Sequence, residues 1–101
     1  MAYVYILYSK SINKFYIGSC KNLNVRIQQH VNNVFVKSFT HNANDWKVSF
    51  SVSDLEYKQA RKIESHIKNM KSKIYIQNLI KYPNIIEKLK QKYLNNNFHK
   101  E

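Results

Sequence analysis

The chain holds one cysteine, one glycine and one proline in 101 residues, and only 6 residues are acidic. Each scarcity removes a class of function. A lone Cys20 allows neither a disulfide framework nor a multi-cysteine zinc site, and it fits a reducing compartment. The expected location is therefore the cytoplasm. A single glycine leaves no phosphate-cradling loop, which excludes Walker-type nucleotide sites and dinucleotide folds. No apolar run approaches the roughly 18 residues of a membrane helix. The opening Met-Ala-Tyr-Val-Tyr-Ile-Leu-Tyr reads as a strand without a basic leader region, so no signal peptide is expected.

What is abundant is positive charge. Lys and Arg number 17, the formal net charge is +11, and all but Arg26 and Arg61 are lysines. Such a surplus attracts polyanions and aids solubility without dictating a fold. Nucleic acid is the expected partner. A membrane partner is not, because the lysines are spread along the chain and not gathered on one amphipathic helix. Hydrophobic residues make up 44% of the chain, and a chain this long can bury roughly two-thirds of its unfolded surface in one core.

Along the chain, residues 2–8 alternate as a strand, with Tyr3, Tyr5 and Leu7 on one face and Val4, Ile6 and Tyr8 on the other. Phe15-Tyr16-Ile17-Gly18 resumes strand chemistry after a polar turn, which makes a hairpin. Asn22 is a helix N-cap, and Leu23, Ile27, Val31 and Val34 form the apolar stripe behind it. Residues 35–45 read as a loop. Trp46, Val48, Phe50 and Val52 alternate with polar residues as a third strand. Ser53-Asp54-Leu55-Glu56 has the S-x-x-E form of a capping box, opening a helix with Ala60, Ile63, Ile67 and Met70 on one side. Ser72 restarts a helix that Pro83 stops near Tyr82. Asn84-Ile85-Ile86-Glu87 repeats the capping pattern for a last helix to about Leu94. The expected fold is α+β: a three-stranded, mostly antiparallel sheet flanked by helices, in the order β-β-α-β-α-α-α.

Several polar side chains fall where core-facing or sheet-facing groups belong. Tyr5 and Tyr16 lie on the two hairpin strands. Arg26 and His30 are four apart on the first helix, hence on one face beside its apolar stripe. Glu64 lies next to the Ile63/Ile67 stripe. Together they supply a phenol as proton acceptor, a guanidinium for phosphate, an imidazole, and a carboxylate able to hold Mg²⁺. Metal-assisted phosphodiester cleavage needs that inventory. One carboxylate suits Mg²⁺, which keeps most of its waters. His41, His66 and His99 have no metal-ligand spacing.

Tyr3-Val4-Tyr5, then Tyr16-Ile17-Gly18, then Arg26, His30 and Glu64, resembles the GIY-YIG nuclease superfamily. The likeness is greatest to the small stand-alone branch related to the nuclease domain of the excinuclease. It runs from about Tyr3 to Leu79. It implies a nuclease domain over residues 1–82, with the 83–94 helix packed on it and a frayed tail at 95–101. It implies a DNA endonuclease using Mg²⁺ or Mn²⁺, with RNA as a further candidate substrate and a protein partner or homodimer for targeting. Repair of DNA is the associated pathway. Tyr5 would be the base and Tyr16 would orient the water, Arg26 would bind the scissile phosphate, His30 would assist proton transfer, and Glu64 would ligate the metal. Gly18 and Asn78 would support the site. Lys10, Lys14, Lys21 and Lys37 would flank the nucleic-acid path. Two positions depart from the family pattern: Tyr3 stands where it opens with glycine, and Ser19 where excinuclease relatives often carry lysine. The rival expectation is a non-catalytic, basic nucleic-acid-binding module on the same scaffold, which would need neither Glu64 nor metal.

Overall fold

The structure is a computed structural model, and it describes residues 1–26 and 43–94. Strands β1 (Ala2–Ser9) and β2 (Lys14–Cys20) form the hairpin. Helix α1 begins at Leu23 and is described over 23–26. Strand β3 (Trp46–Leu55) follows, then α2 (Tyr57–Met70), α3 (Lys73–Lys81) and α4 (Pro83–Lys92). The order matches the expected β-β-α-β-α-α-α. The sheet is antiparallel throughout, ordered β2-β1-β3, so β1 is central and β2 is an edge.

The residues of β1 explain its place. Val4, Tyr5, Ile6 and Leu7 are all buried, and a strand covered on both faces has an almost continuous apolar run. Val4 and Ile6 face a core completed by Ile17, Leu55, Ala60, Ile63 and Ile67, to which α3 and α4 add Ile76, Leu79, Ile86 and Leu89. Tyr5 and Leu7 face the other way, into a smaller cluster with Cys20 and Trp46, against which Tyr3, Tyr16 and Leu23 pack. Tyr3 at the family's glycine position is thus part of this second layer. Gln59 locks the helices to one another, its buried amide donating to the Lys90 carbonyl at 2.9 Å.

Strand β3 departs from the alternation read in the sequence. Ile6 pairs with Phe50, but the next residue, Leu7, pairs with Val48. This bulge turns Trp46 to the opposite face from Phe50 and Val52 and leaves Val48 43% exposed. One extra residue on one strand is enough to do this, because side chains alternate with period two. The strand also runs three residues beyond 52. Leu55, fully buried opposite Ala2, belongs to the sheet, and Asp54 at φ 61 re-aims the chain.

The expected Ser53/Glu56 capping box is therefore replaced by one shifted three residues on. Glu56 is the N-cap, and the Gln59 side chain accepts from its N–H at 3.1 Å. Met70, at the end of α2, is 44% exposed and lies off the apolar stripe. Asn22 and Ser72 cap α1 and α3 as expected, their side chains accepting from Val25 and Tyr75 N–H. Helix α4 starts one residue before Asn84, with Pro83 in its first turn and Tyr82 as N-cap, a position suited to proline because no N–H is lost from the helical ladder.

A clasp ties the hairpin to β3. Asp45 accepts from Ser9 Oγ at 2.5 Å and from both the N–H and Oγ of Ser11 at 2.9 Å. These bonds to Ser9 and Ser11 hold its carboxyl down at about 2.

Two outcomes check this description. Leu55→Ala should lose about 2–5 kcal/mol in chemical denaturation, whereas Met70→Ala at its exposed position should change stability by less than about 0.5 kcal/mol. Because the Asp45 carboxyl is depressed from 3.8 to about 2, its contribution is present above pH 4 and lost as pH falls toward 2. Thermal midpoints of the wild type should therefore drop across that window more than those of Asp45→Asn.

Candidate active site

The hairpin register brings the two tyrosines together. Tyr5 pairs with Gly18 and Leu7 with Tyr16, so Tyr5 and Tyr16 are diagonal neighbours on one face. Their ring centroids are 6.4 Å apart with planes at 37°. The Tyr5 phenol lies over Gly18: a Cβ at that position would fall 2.5 Å from Cζ and 3.0 Å from Cε1 of the ring. Gly18 has no positive φ, so it is needed for this close approach and not for a special backbone conformation.

Arg26 arrives from α1, which Asn22 starts directly after β2. It hydrogen-bonds the Tyr5 phenol and opposes the effect of burial there. Burial, reinforced by Tyr16, nevertheless pushes that phenol well above the ordinary tyrosine value. Cys20 on the same face is buried and its thiol is also pushed up.

Glu64 approaches from the other side of the sheet. It lies on α2 beside buried Ile63 and Ile67, and its side chain is only 15% exposed. The Ser19 hydroxyl donates to Oε1, Lys68 Nζ donates to Oε2 at 2.6 Å, and Arg61 Nε stands 3.9 Å from Oε1. Lys68 also lies 6.0 Å from the centre of the Tyr16 ring. The site therefore wraps round the free edge of β2, with tyrosines and Arg26 on one face, Glu64 on the other, and Lys68 bridging them.

An open cleft of about 430 Å³ at the end of β2 is lined by Ser19, Cys20, Lys21, Asn22, Arg26 and Tyr57. A divalent cation fits what is there. Glu64 and Ser19 offer oxygen donors only, which suits a hard cation that retains waters, and among the described residues no group of three or more His, Cys, Asp or Glu could hold a metal by itself.

The remaining expected residues are spread out. Gly18 serves Tyr5 as described. Lys10 is exposed in the hairpin turn, and Lys14 at the start of β2. Lys21 follows β2 and lies 5.0 Å from the Tyr57 ring. Asn78 is exposed on α3, its carbonyl accepting from Tyr82 N–H. His30 and Lys37 lie outside the described residues. Ser19 and Lys68 are the contributors that the motif reading passed over. Lys68 was legible as an i+4 partner of Glu64, whereas Ser19 meets Glu64 only through tertiary packing.

The model of the GIY-YIG catalytic domain matches residues 1–79 of the chain. No curated protein and no solved structure matches it significantly. The matched span takes in the whole sheet, α2 and most of α3, and so every site residue described above. It is a nuclease domain, implying a nucleic-acid substrate, and its members generally use divalent metal ions. Among the described residues no helix is long and apolar enough to cross a membrane. With 79 of its 101 residues matched and its paired tyrosines closed round a glycine, this chain belongs to the GIY-YIG nuclease superfamily.

Proposed function

We propose that the chain is a divalent-metal-dependent DNA endonuclease, hydrolysing phosphodiester bonds by tyrosine-assisted attack of water. The observation that carries this reading is the continuity of the site. Tyr5 touches Arg26 on one face of β2, and Lys68 joins Tyr16 to Glu64 round its edge. A phosphate seated in the cleft beside Arg26 would lie between the phenols and the carboxylate.

In this reading Arg26 binds and neutralises the scissile phosphate, with its guanidinium held by the tyrosine it touches. Glu64 holds Mg²⁺ or Mn²⁺, with the Ser19 hydroxyl orienting one carboxylate oxygen. When bound there, the cation supplies Lewis-acid stabilisation of charge on the phosphate and the leaving oxygen. The proton of the attacking water goes to a phenolate. An ordinary phenol ionises near pH 10, so neighbouring positive charge is needed to favour that form.

We assign the base to Tyr16, in contrast to the sequence-based expectation of Tyr5. Tyr5 is fully buried and burial tightens its hold on the proton, which suits a positioning role. Tyr16 is only partly buried and has the Lys68 ammonium near its ring. His30 would pass the proton onward. Attack forms the new P–O bond from water, the P–O bond to the leaving oxygen breaks, and that oxygen leaves protonated. Kinship with the excinuclease-related branch, a role in DNA repair and a cytoplasmic location are part of the same proposal.

Supercoiled plasmid and branched or linear labelled DNA, incubated with Mg²⁺ or Mn²⁺, test it. Glu64→Gln, Arg26→Ala and Tyr16→Phe should each lower cleavage by about a hundredfold or more, with DNA binding kept in Glu64→Gln. The pH–rate profile separates the tyrosines: Tyr16→Phe should lose the alkaline-rising limb and Tyr5→Phe should keep it. Salt-sensitive binding without cutting, equal in wild type and Glu64→Gln, would return the chain to the binding-module reading.

A further inference from the structure

Tyr57 has no part in the reaction above, yet it lines the same cleft as Arg26 and Ser19. It is the first residue of α2 and remains 43% exposed. Its surroundings hold it in place. Arg61 Nη1 donates to the phenol oxygen at 3.0 Å, with its guanidinium carbon 5.8 Å from the ring centre. Lys21 Nζ lies 5.0 Å from the same centre. Arg61 in turn reaches Glu64 at 3.9 Å. A large aromatic ring is thus kept at the mouth of the cleft, between cations, next to the groups assigned to the phosphate and the metal.

We propose that Tyr57 is a stacking platform for the nucleobase flanking the scissile phosphate, and that the strand cut here is unpaired at that base. The proposal rests on the nuclease reading for which phosphate is meant, but the stacking itself does not require cleavage. Inside a duplex both faces of a base are covered by its neighbours, so a protein ring reaches one only where the base is unstacked. Lys21 and Arg61 flank the ring where the adjoining backbone phosphates would pass, and their charge complements that backbone. Stacking on an aromatic ring needs no base identity, so the site would favour single-stranded or frayed DNA without sequence preference.

Binding is measured on the full chain carrying Glu64→Gln, with EDTA present, so that no cutting intrudes. The probes are a short labelled single strand containing 2-aminopurine and a hairpin duplex of the same sequence. Tyr57→Ala and Tyr57→Leu should weaken the single strand about tenfold and the duplex less than about twofold, and should abolish the quenching of 2-aminopurine. Tyr57→Trp should retain both affinity and quenching. Circular dichroism confirms folding, and Tyr57→Leu, which keeps the bulk of the side chain, covers the case in which the alanine variant unfolds.

Unchanged single-strand affinity and quenching in Tyr57→Leu would overturn the proposal. So would equal losses on both probes, which would mean that the ring only holds Lys21 and Arg61 in place. Plasmid cleavage by the wild type is scored separately. If nothing is cut but the single-strand loss in Tyr57→Leu is seen, the stacking site stands and the nuclease reading fails.

Discussion

Tyr5 can lie across β2 only because Gly18 offers no side chain, and most of the site's geometry follows from that approach. It places the phenol against the backbone of the edge strand. It brings the ring within 6.4 Å of Tyr16, and it sets the phenol where α1 delivers Arg26. A methyl group at Gly18 would meet both ring and backbone, with no flexible chain end to yield. The contact is available because Tyr5 and Gly18 are directly opposed in the ladder. A slip of one residue would send the phenol to the other face.

The second constraint is that β2 is an edge. A central strand has a neighbour on each side, which would keep groups on its two faces apart. Here Lys68 can pass round the free edge from Glu64 to Tyr16, so chemistry from both faces meets. An exposed edge strand also invites pairing with another chain; the lysine at its start, Lys14, and the lysine near its rim, Lys68, work against that. The positive charge of the chain therefore has local tasks as well as a general attraction for polyanions. At the end of β2 it surrounds Tyr57, and at Glu64 it neutralises a half-buried carboxylate.

Stability and site share their supports. The face of the sheet that carries Val4 and Ile6 is sealed by α2, whose Ala60, Ile63 and Ile67 are buried, and this packing aims Glu64 at Ser19. The Glu56–Gln59 box sets where α2 begins, and through Gln59 it also fastens α4. Shifting that start would rotate Glu64 and Tyr57 together about the helix axis, by roughly 100° per residue.

The order of elements, the two faces of β1, the caps at Asn22 and Ser72 and the stop at Pro83 were determined by the sequence itself. Each depends on neighbours a few residues away: alternation, a side chain reaching its own helix, a ring lacking an N–H. The pattern Tyr5, Tyr16, Gly18, Arg26, Glu64 was legible in the same way, because spacing along strands and helices sets which residues share a face. What only tertiary structure decided lies where distant segments compete. Ser53-Asp54-Leu55-Glu56 has the local chemistry of a helix start, but burial of Leu55 opposite Ala2 outweighs a cap and extends β3. The bulge that turns Trp46 away from Phe50 is a property of the pairing with β1, and a single strand carries no mark of its partner's register. Ser19 meets Glu64 across 45 residues, and Lys21 meets Tyr57 across the loop and strand between them. No periodicity records those meetings, since they exist only once the helix has packed against the sheet.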